Sequence, residues 1–222
     1  MKRAIRIGLV EDHLSVRQGY VALFELEESI KVIFDVATGQ ELFEKLKKTH
    51  IDVLLLDIEM PSMDGKTILK KIKSSYPEIK VIMLTGHDEK VEILECIRSG
   101  ASSYIIKDTD FNEMVDAIDN VFRVGSHVDK RVTKVLLNNI RRLPNKDDFD
   151  VSKILSEKEK EMIRYFCKGL TSKEIGEIMN LSHRTIEGAK LLILEKTKCK
   201  NTIDLAFFAY KNDIYHPNQL KG

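Results

Sequence analysis

Tryptophan is absent from the 222 residues, which hold only 3 cysteines, 4 prolines and 11 glycines. The cysteines, Cys96, Cys167 and Cys199, are odd in number and show no CxxC or CxxH spacing. That excludes a disulfide framework and a zinc finger, and leaves buried or idle reduced thiols. So little Pro and Gly excludes collagen-like and linker-rich chains. No apolar stretch approaches the roughly 18 residues that span a bilayer, and none follows Met1-Lys2-Arg3. A soluble cytoplasmic protein with no membrane partner is expected. An excess of one charge is missing too, with 36 Lys and Arg against 35 Asp and Glu.

What is present is an ordinary globular composition, 43% apolar and 32% charged, long enough for one large domain or two small ones, each with a core. The near-neutral sum conceals a split. From Val151 to Gly222 there are 13 Lys and Arg against 9 Asp and Glu, a net +4, which leaves −3 for residues 1–150. The head is mildly acidic and the tail mildly basic.

In the first half, strand and helix patterns alternate. The apolar runs AIRIGLV (4–10), KVIFDV (31–36), DVLLLD (52–57), KVIML (80–84) and SSYII (102–106) are each followed by a helical period, near 14–24, 39–48, 66–75, 89–99 and 110–124. Strands apolar on nearly every residue belong inside a parallel sheet covered on both faces, with the helices as crossovers. The expected fold is α/β, a doubly wound five-stranded parallel sheet, over residues 1–125. Ligands bind such sheets beyond the carboxyl ends of the strands. The polar residues there are Glu11-Asp12, Asp57, Thr85 and Lys107.

Three carboxylates at one sheet edge repel unless a cation sits among them, and hard oxygen ligands favour magnesium. An ammonium and a hydroxyl beside the metal suit the oxygens of a transferred phosphoryl group, with a carboxylate as nucleophile. Asp57 is the central candidate. It ends the most apolar strand, and the following loop, IEMPSMDG (58–65), makes a tight turn through Pro61 and Asp64-Gly65.

Taken together, Glu11-Asp12, Asp57, Met60-Pro61 with Asp64-Gly65, Thr85, Tyr104 and Lys107 resemble the response-regulator receiver domain of bacterial two-component signalling, a flavodoxin-like fold. The resemblance implies that Asp57 takes phosphoryl from a sensor histidine kinase. Magnesium would be held by Asp12, Asp57 and the backbone carbonyl of Glu59, with Glu11 acting mainly through water. Lys107 would bridge to the phosphoryl oxygens, and Thr85 would swing toward them as Tyr104 turns inward, reshaping the face of the fourth helix, fifth strand and fifth helix. Two departures stand out. Gly86 follows Thr85 where the family often has Ala, and Asp108 replaces the frequent Pro after Lys107. Glu59 and His87, each two residues past a phosphate-site residue, are candidates for tuning dephosphorylation, or are solvated loop residues.

Residues 126–151 read as a linker, first a helix through Val128, Val132, Val135, Leu136 and Ile140, then a polar, Pro-started stretch. Four short helices follow over 152–215, with a tail at 216–222. Ser156 with Glu159 and Thr171 with Glu174 form capping boxes, Ser182 caps a third helix running to about Thr197, and Asn201 starts a fourth. Short helices joined by three- or four-residue turns describe a small all-α helix-turn-helix domain.

The motif Leu155-Ser156, Glu159, Gly169, Thr171 with Lys173-Glu174-Ile175, Ser182 with Thr185-Ile186, Lys196 and Asn201 resembles the LuxR-type helix-turn-helix domain of NarL/FixJ-family regulators. It implies promoter DNA as a partner, contacted by Ser182, His183, Arg184, Thr185 and Lys190, with Ser172 and Lys173 at the backbone. The recognition helix departs from the common pattern with Glu187-Gly188. Glu187 can accept from cytosine N4 while Gly188 lets the backbone come close, or Glu187 is a surface carboxylate paired with Lys190 or Lys173. Leu191-Leu192-Ile193-Leu194 is apolar around more than one face. One face fills the core with Ile186, Ala189 and Ile193, and the other is covered by the receiver, by a dimer partner or by the fourth helix.

The combined expectation is a transcription regulator whose Asp57 phosphorylation promotes homodimerisation and promoter binding. It is not an enzyme, apart from self-catalysed phosphorylation and dephosphorylation. Two rivals are a magnesium phosphohydrolase with Glu59 as its acid, and a module whose C-terminal helices dock protein instead of DNA.

Overall fold

The computed structural model describes residues 3–61, 63–86, 90–127 and 151–216. They fall into two units, Met1–Asp129 and Lys130–Gly222. His87, the helix expected from Val128 to Ile140, the polar stretch up to 150 and the tail from 217 lie outside the described residues.

In the first unit β1 (Ile5–Val10), β2 (Ile30–Val36), β3 (Val53–Asp57), β4 (Lys80–Thr85) and β5 (Ser103–Ile106) alternate with α1 (Leu14–Glu25), α2 (Gly39–Leu46), α3 (Gly65–Ser75), α4 (Lys90–Arg98) and α5 (Phe111–Val124). The strand order is β2-β1-β3-β4-β5, every pair parallel. All five residues of the central β3 are buried, whereas β2 at the edge alternates. That contrast follows from position, since only inner strands have helices on both faces and neighbours on both sides.

One face of the sheet packs Ile7, Leu9, Val53, Leu55, Ile82 and Leu84 against Phe24 of α1 and Met114, Ile118 and Val121 of α5. At roughly 1.5–3 kcal/mol for each fully buried large side chain, this layer supplies a major part of the unit's cohesion. Local signals set the helix ends. Thr38, Asp64 and Asp110 accept backbone N–H groups at the starts of α2, α3 and α5, and Gly125, at φ 97°, closes α5 in the left-handed conformation. Because β1 lies between β2 and β3, consecutive connections leave it in opposite directions. The crevice beyond β1 and β3 is the switch point of the fold.

The second unit comprises α6 (Val151–Ile154), α7 (Glu157–Cys167), α8 (Ser172–Met179), α9 (His183–Thr197) and α10 (Thr202–Lys211). The sequence pattern runs the polar linker into this region, but a helical turn begins at Val151. Val151 packs on the core, and Leu155, 2% exposed, donates its N–H to the Val151 carbonyl. Both capping boxes form, at Ser156–Glu159 and Thr171–Glu174, and Ser182 and Asn201 cap α9 and α10.

Glu159 does a second task, since its Oε1 lies 2.6 Å from Lys196 Nζ on α9. The turn from α8 to α9 passes through Asn180 at φ 54°. It lies so close to Gly176 that a Cβ there would stand 2.6 Å from the Leu181 carbonyl oxygen. Ile163, Ile175, Ile186, Ile193 and Leu205, all fully buried, join the helices. No described helix is long and apolar enough to cross a membrane.

Candidate functional site

The switch-point crevice holds the residues that the sequence singled out at separate strand ends. Asp57 ends β3 with its side chain fully buried, and its Oδ1 accepts the Glu59 N–H at 3.2 Å. The loop back to α3 is fixed by Gly65, whose N–H donates to the Ile58 carbonyl at 3.0 Å. A Cβ on Gly65 would stand 2.1 Å from the Asp57 carbonyl oxygen. Gly65→Ala must therefore push the Asp57 backbone aside. It is expected to destabilise the unit by about 1–3 kcal/mol and to slow phosphoryl uptake at Asp57, measured by urea unfolding alongside acetyl-phosphate labelling.

From β1, Glu11 is fully buried and Asp12 half-buried. Lys107, placed by its N–H bond to the Thr85 carbonyl at 2.7 Å, sends its ammonium between the carboxylates, 2.7 Å from Glu11 Oε2 and 2.9 Å from Asp57 Oδ2. The resemblance assigned Glu11 a role through water; here the carboxylate meets the lysine directly. Thr85 is fully buried. Tyr104 is 1% exposed, so the inward position that the resemblance assigned to the switched state is the one it occupies here. All described peptide bonds are trans, including that after Lys107.

Burial pushes the Asp57 carboxyl above its usual range, reinforced by the Glu11 charge, while Lys107 and the Glu59 N–H act against the shift. Burial also disfavours the Lys107 ammonium, but its contacts with Glu11 and Asp57 outweigh that and raise its pKa. Glu11 Oε2 and Asp57 Oδ2, which share the Lys107 ammonium, and Asp12 Oδ1 are buried oxygens with further lone pairs to offer. An all-oxygen set with spare lone pairs fits a hard divalent cation.

Sequence reasoning missed two residues of this site. His13 Nδ1 lies 3.0 Å from Asp12 Oδ1 and 3.2 Å from Glu11 Oε1, within the same ligand-sized cluster. Arg17 donates through Nη1 to the Glu11 carbonyl at 2.6 Å and pairs through Nε with Asp35 at 3.2 Å, clamping the acidic turn. Arg17 follows His13 by one helical turn, a spacing that could have exposed it. Glu59 is an exposed loop residue.

In the second unit, Ser182, His183, Arg184, Thr185 and Gly188 are exposed along the start of α9. Ser182 and Thr185 share a hydroxyl contact of 2.7 Å. The Ser172 hydroxyl donates to Glu187 Oε1, a partner that the sequence pattern did not suggest. Ser172 is buried, so its hydroxyl positions α8 on α9. Lys173 is exposed beside it, while Lys190 lies over the Phe166 ring at 5.3 Å. Cys96 is buried, Cys167 and Cys199 are half-buried, and burial pushes the Cys167 thiol up to about 12.

Comparison with known proteins matches residues 7–119 to the response regulator receiver domain and residues 153–209 to the bacterial regulatory proteins of the luxR family. The chain is 31% identical over 214 residues to the oxygen regulatory protein NreC of Staphylococcus aureus, covering 95% of this chain and 99% of that one. Among solved structures, a LuxR-family two-component response regulator from Aurantimonas superposes with a TM-score of 0.58 at 25% identity, over 62% of this chain and 98% of that chain. RcsB from Salmonella enterica serovar Typhimurium, solved bound to a promoter with a phosphomimetic, shares the fold at a TM-score of 0.55 and 23% identity, over 94% and 99% of the two chains. With both families matched in order along nearly the full length of a relative, the chain belongs to the response regulators, a receiver domain followed by a LuxR-type DNA-binding domain.

Proposed function

We propose that Asp57 is the phospho-acceptor of this regulator and that its phosphorylation by a sensor histidine kinase promotes homodimerisation and promoter binding. The observation that carries this reading is the juxtaposition at the switch point of a buried Asp57 with Lys107 at 2.9 Å, beside Glu11 and Asp12. The Asp57 carboxylate attacks phosphorus, the P–N bond to the donor imidazole or the P–O bond to the acetate of acetyl phosphate breaks and that group leaves, and an acyl phosphate forms. Lys107 follows the charge onto the phosphoryl oxygens, and the Thr85 hydroxyl donates to them. A magnesium ion, held by Asp12, Asp57 and the Glu59 carbonyl with Glu11 behind them, would neutralise charge on the same oxygens. The protein acts on no metabolite; its own phosphorylation and dephosphorylation are its chemistry, with Glu59 and His87 tuning the second by placing or excluding water.

In this reading the receiver spans 1–125, the linker 126–151, the DNA reader 152–215 and the tail 216–222. His183, Arg184, Thr185 and Gly188 face DNA from α9 with Ser182 at its cap, and Lys173 meets the phosphates at the α8 N-terminus, while Ser172, bonded to Glu187, and Lys190, over the Phe166 ring, hold the helices in place behind them. Glu187, held by Ser172, is placed at the edge of the base-reading surface. The experiment is beryllofluoride with magnesium on the full chain, read by sedimentation and by promoter binding across a salt series. Dimer formation and affinity that falls steeply with salt are expected. If neither oligomeric state nor DNA affinity changes on treatment, the proposal fails.

A further inference from the structure

One stripe of exposed residues on α9 runs through Arg184, Thr185, Gly188, Leu191, Leu192 and Glu195. At 3.6 residues per turn they fall within an arc of about 120° centred on Gly188, with Leu191 and Leu192 on its two flanks about one turn further along. The opposite side is closed, since Ile186, Ile193 and Thr197 are buried. Leu191 is 67% exposed and Leu192 56%, a large apolar display for a helix so short of other exposed apolar residues. Nothing lies within 4 Å of where a Cβ on Gly188 would stand, so the backbone between the polar start and the two leucines is open to close approach.

We propose that Leu191 and Leu192 are specificity-determining residues that read thymine 5-methyl groups in the major groove. The inference rests on the DNA-binding reading above. The leucines share the arc of Arg184, Thr185 and Gly188, so whatever covers that face of α9 covers them as well. A second protein copy seated on the leucines would block the reading face itself.

Within the groove, a leucine offers no donor or acceptor. Set against cytosine N4, adenine N6 or guanine O6, it strips water and returns no hydrogen bond. Against the thymine methyl it buries apolar surface on both sides. The second apolar face anticipated on this helix is thus the reading surface, with Glu187 turned aside to Ser172.

The test uses the full chain treated with beryllofluoride. A preferred duplex is selected from random DNA, and each thymine is then replaced singly by uracil, which removes only the methyl. At one or more thymines per half-site, uracil is expected to weaken binding about fourfold. Leu191→Ala or Leu192→Ala should bind the thymine and uracil duplexes equally well. Both side chains are exposed, so the variants keep the wild-type unfolding midpoint, and they keep its salt dependence because no phosphate contact is lost. Arg184→Ala, by contrast, lowers the salt slope by about one. A flat uracil scan, or a penalty that persists in both leucine variants, overturns the inference while leaving DNA binding intact. Failure to enrich any sequence overturns the DNA-binding reading and this inference with it.

Discussion

Asp57→Asn is expected to take up no phosphoryl group from acetyl phosphate and, in the absence of magnesium, to be more stable than the wild-type chain. The first effect follows from removing the proposed phospho-acceptor. The second follows from what Asp57 endures in the fold: a fully buried carboxylate, beside the equally buried Glu11, with one lysine shared between them. The amide removes a desolvated charge, keeps the contact from the Glu59 N–H and leaves Lys107 paired with Glu11 at 2.7 Å. A gain on the order of 1 kcal/mol is the expected scale, since replacing buried charge is often stabilising.

The pH dependence has a definite sign. Burial raises the folded-state pKa of Asp57 above its ordinary 3.8. Its contribution to stability is therefore present in full below about 3.8 and is lost as pH rises through the folded-state value. Calorimetry of the wild-type chain should show this increment on acidification from neutral pH, and the asparagine variant should lack it. Magnesium should stabilise the wild-type chain more than the variant. A variant less stable than wild type at neutral pH would contradict this account.

Much of the receiver was legible because its chemistry is written at strand ends, where nearly continuous apolar runs stop and a polar residue must begin. Strand order was not, because nothing in the runs themselves says that β1 sits between β2 and β3. Nor was the direct contact between Glu11 and Lys107, which joins residues far apart in the chain. His13 and Arg17 were overlooked because an exposed imidazole and a helix arginine have ordinary surface explanations, and only the fold turns both toward the acidic loop. In the second unit, capping residues announced α7 to α10 at their N-termini. The fate of Glu187 depended on Ser172, 15 residues earlier on another helix. The four-residue run at Leu191 showed two apolar faces in sequence, but only burial separates Ile193 in the core from Leu191 and Leu192 outside it.

Lys107→Met tests the other half of the carboxylate cluster and should have the largest cost to folding. The methionine keeps most of the apolar stem and removes the ammonium, leaving Glu11 and Asp57 fully buried with no positive charge between them. Removing one partner of a buried ion pair typically costs about 3–5 kcal/mol, and the lower end is expected because Lys107 keeps some contact with water. Three conditions should recover the loss by separate routes. Magnesium supplies the missing charge, acid lets the pair take up a proton, and Asp57→Asn in the same chain removes one of the two repelling groups. The last yields a double-mutant cycle, in which the penalty of Lys107→Met should be markedly smaller when Asp57→Asn is already in place. If the penalty is the same with and without Asp57→Asn, the two side chains are not energetically coupled, and Lys107 is not the group that holds Asp57 ionised and ready to attack.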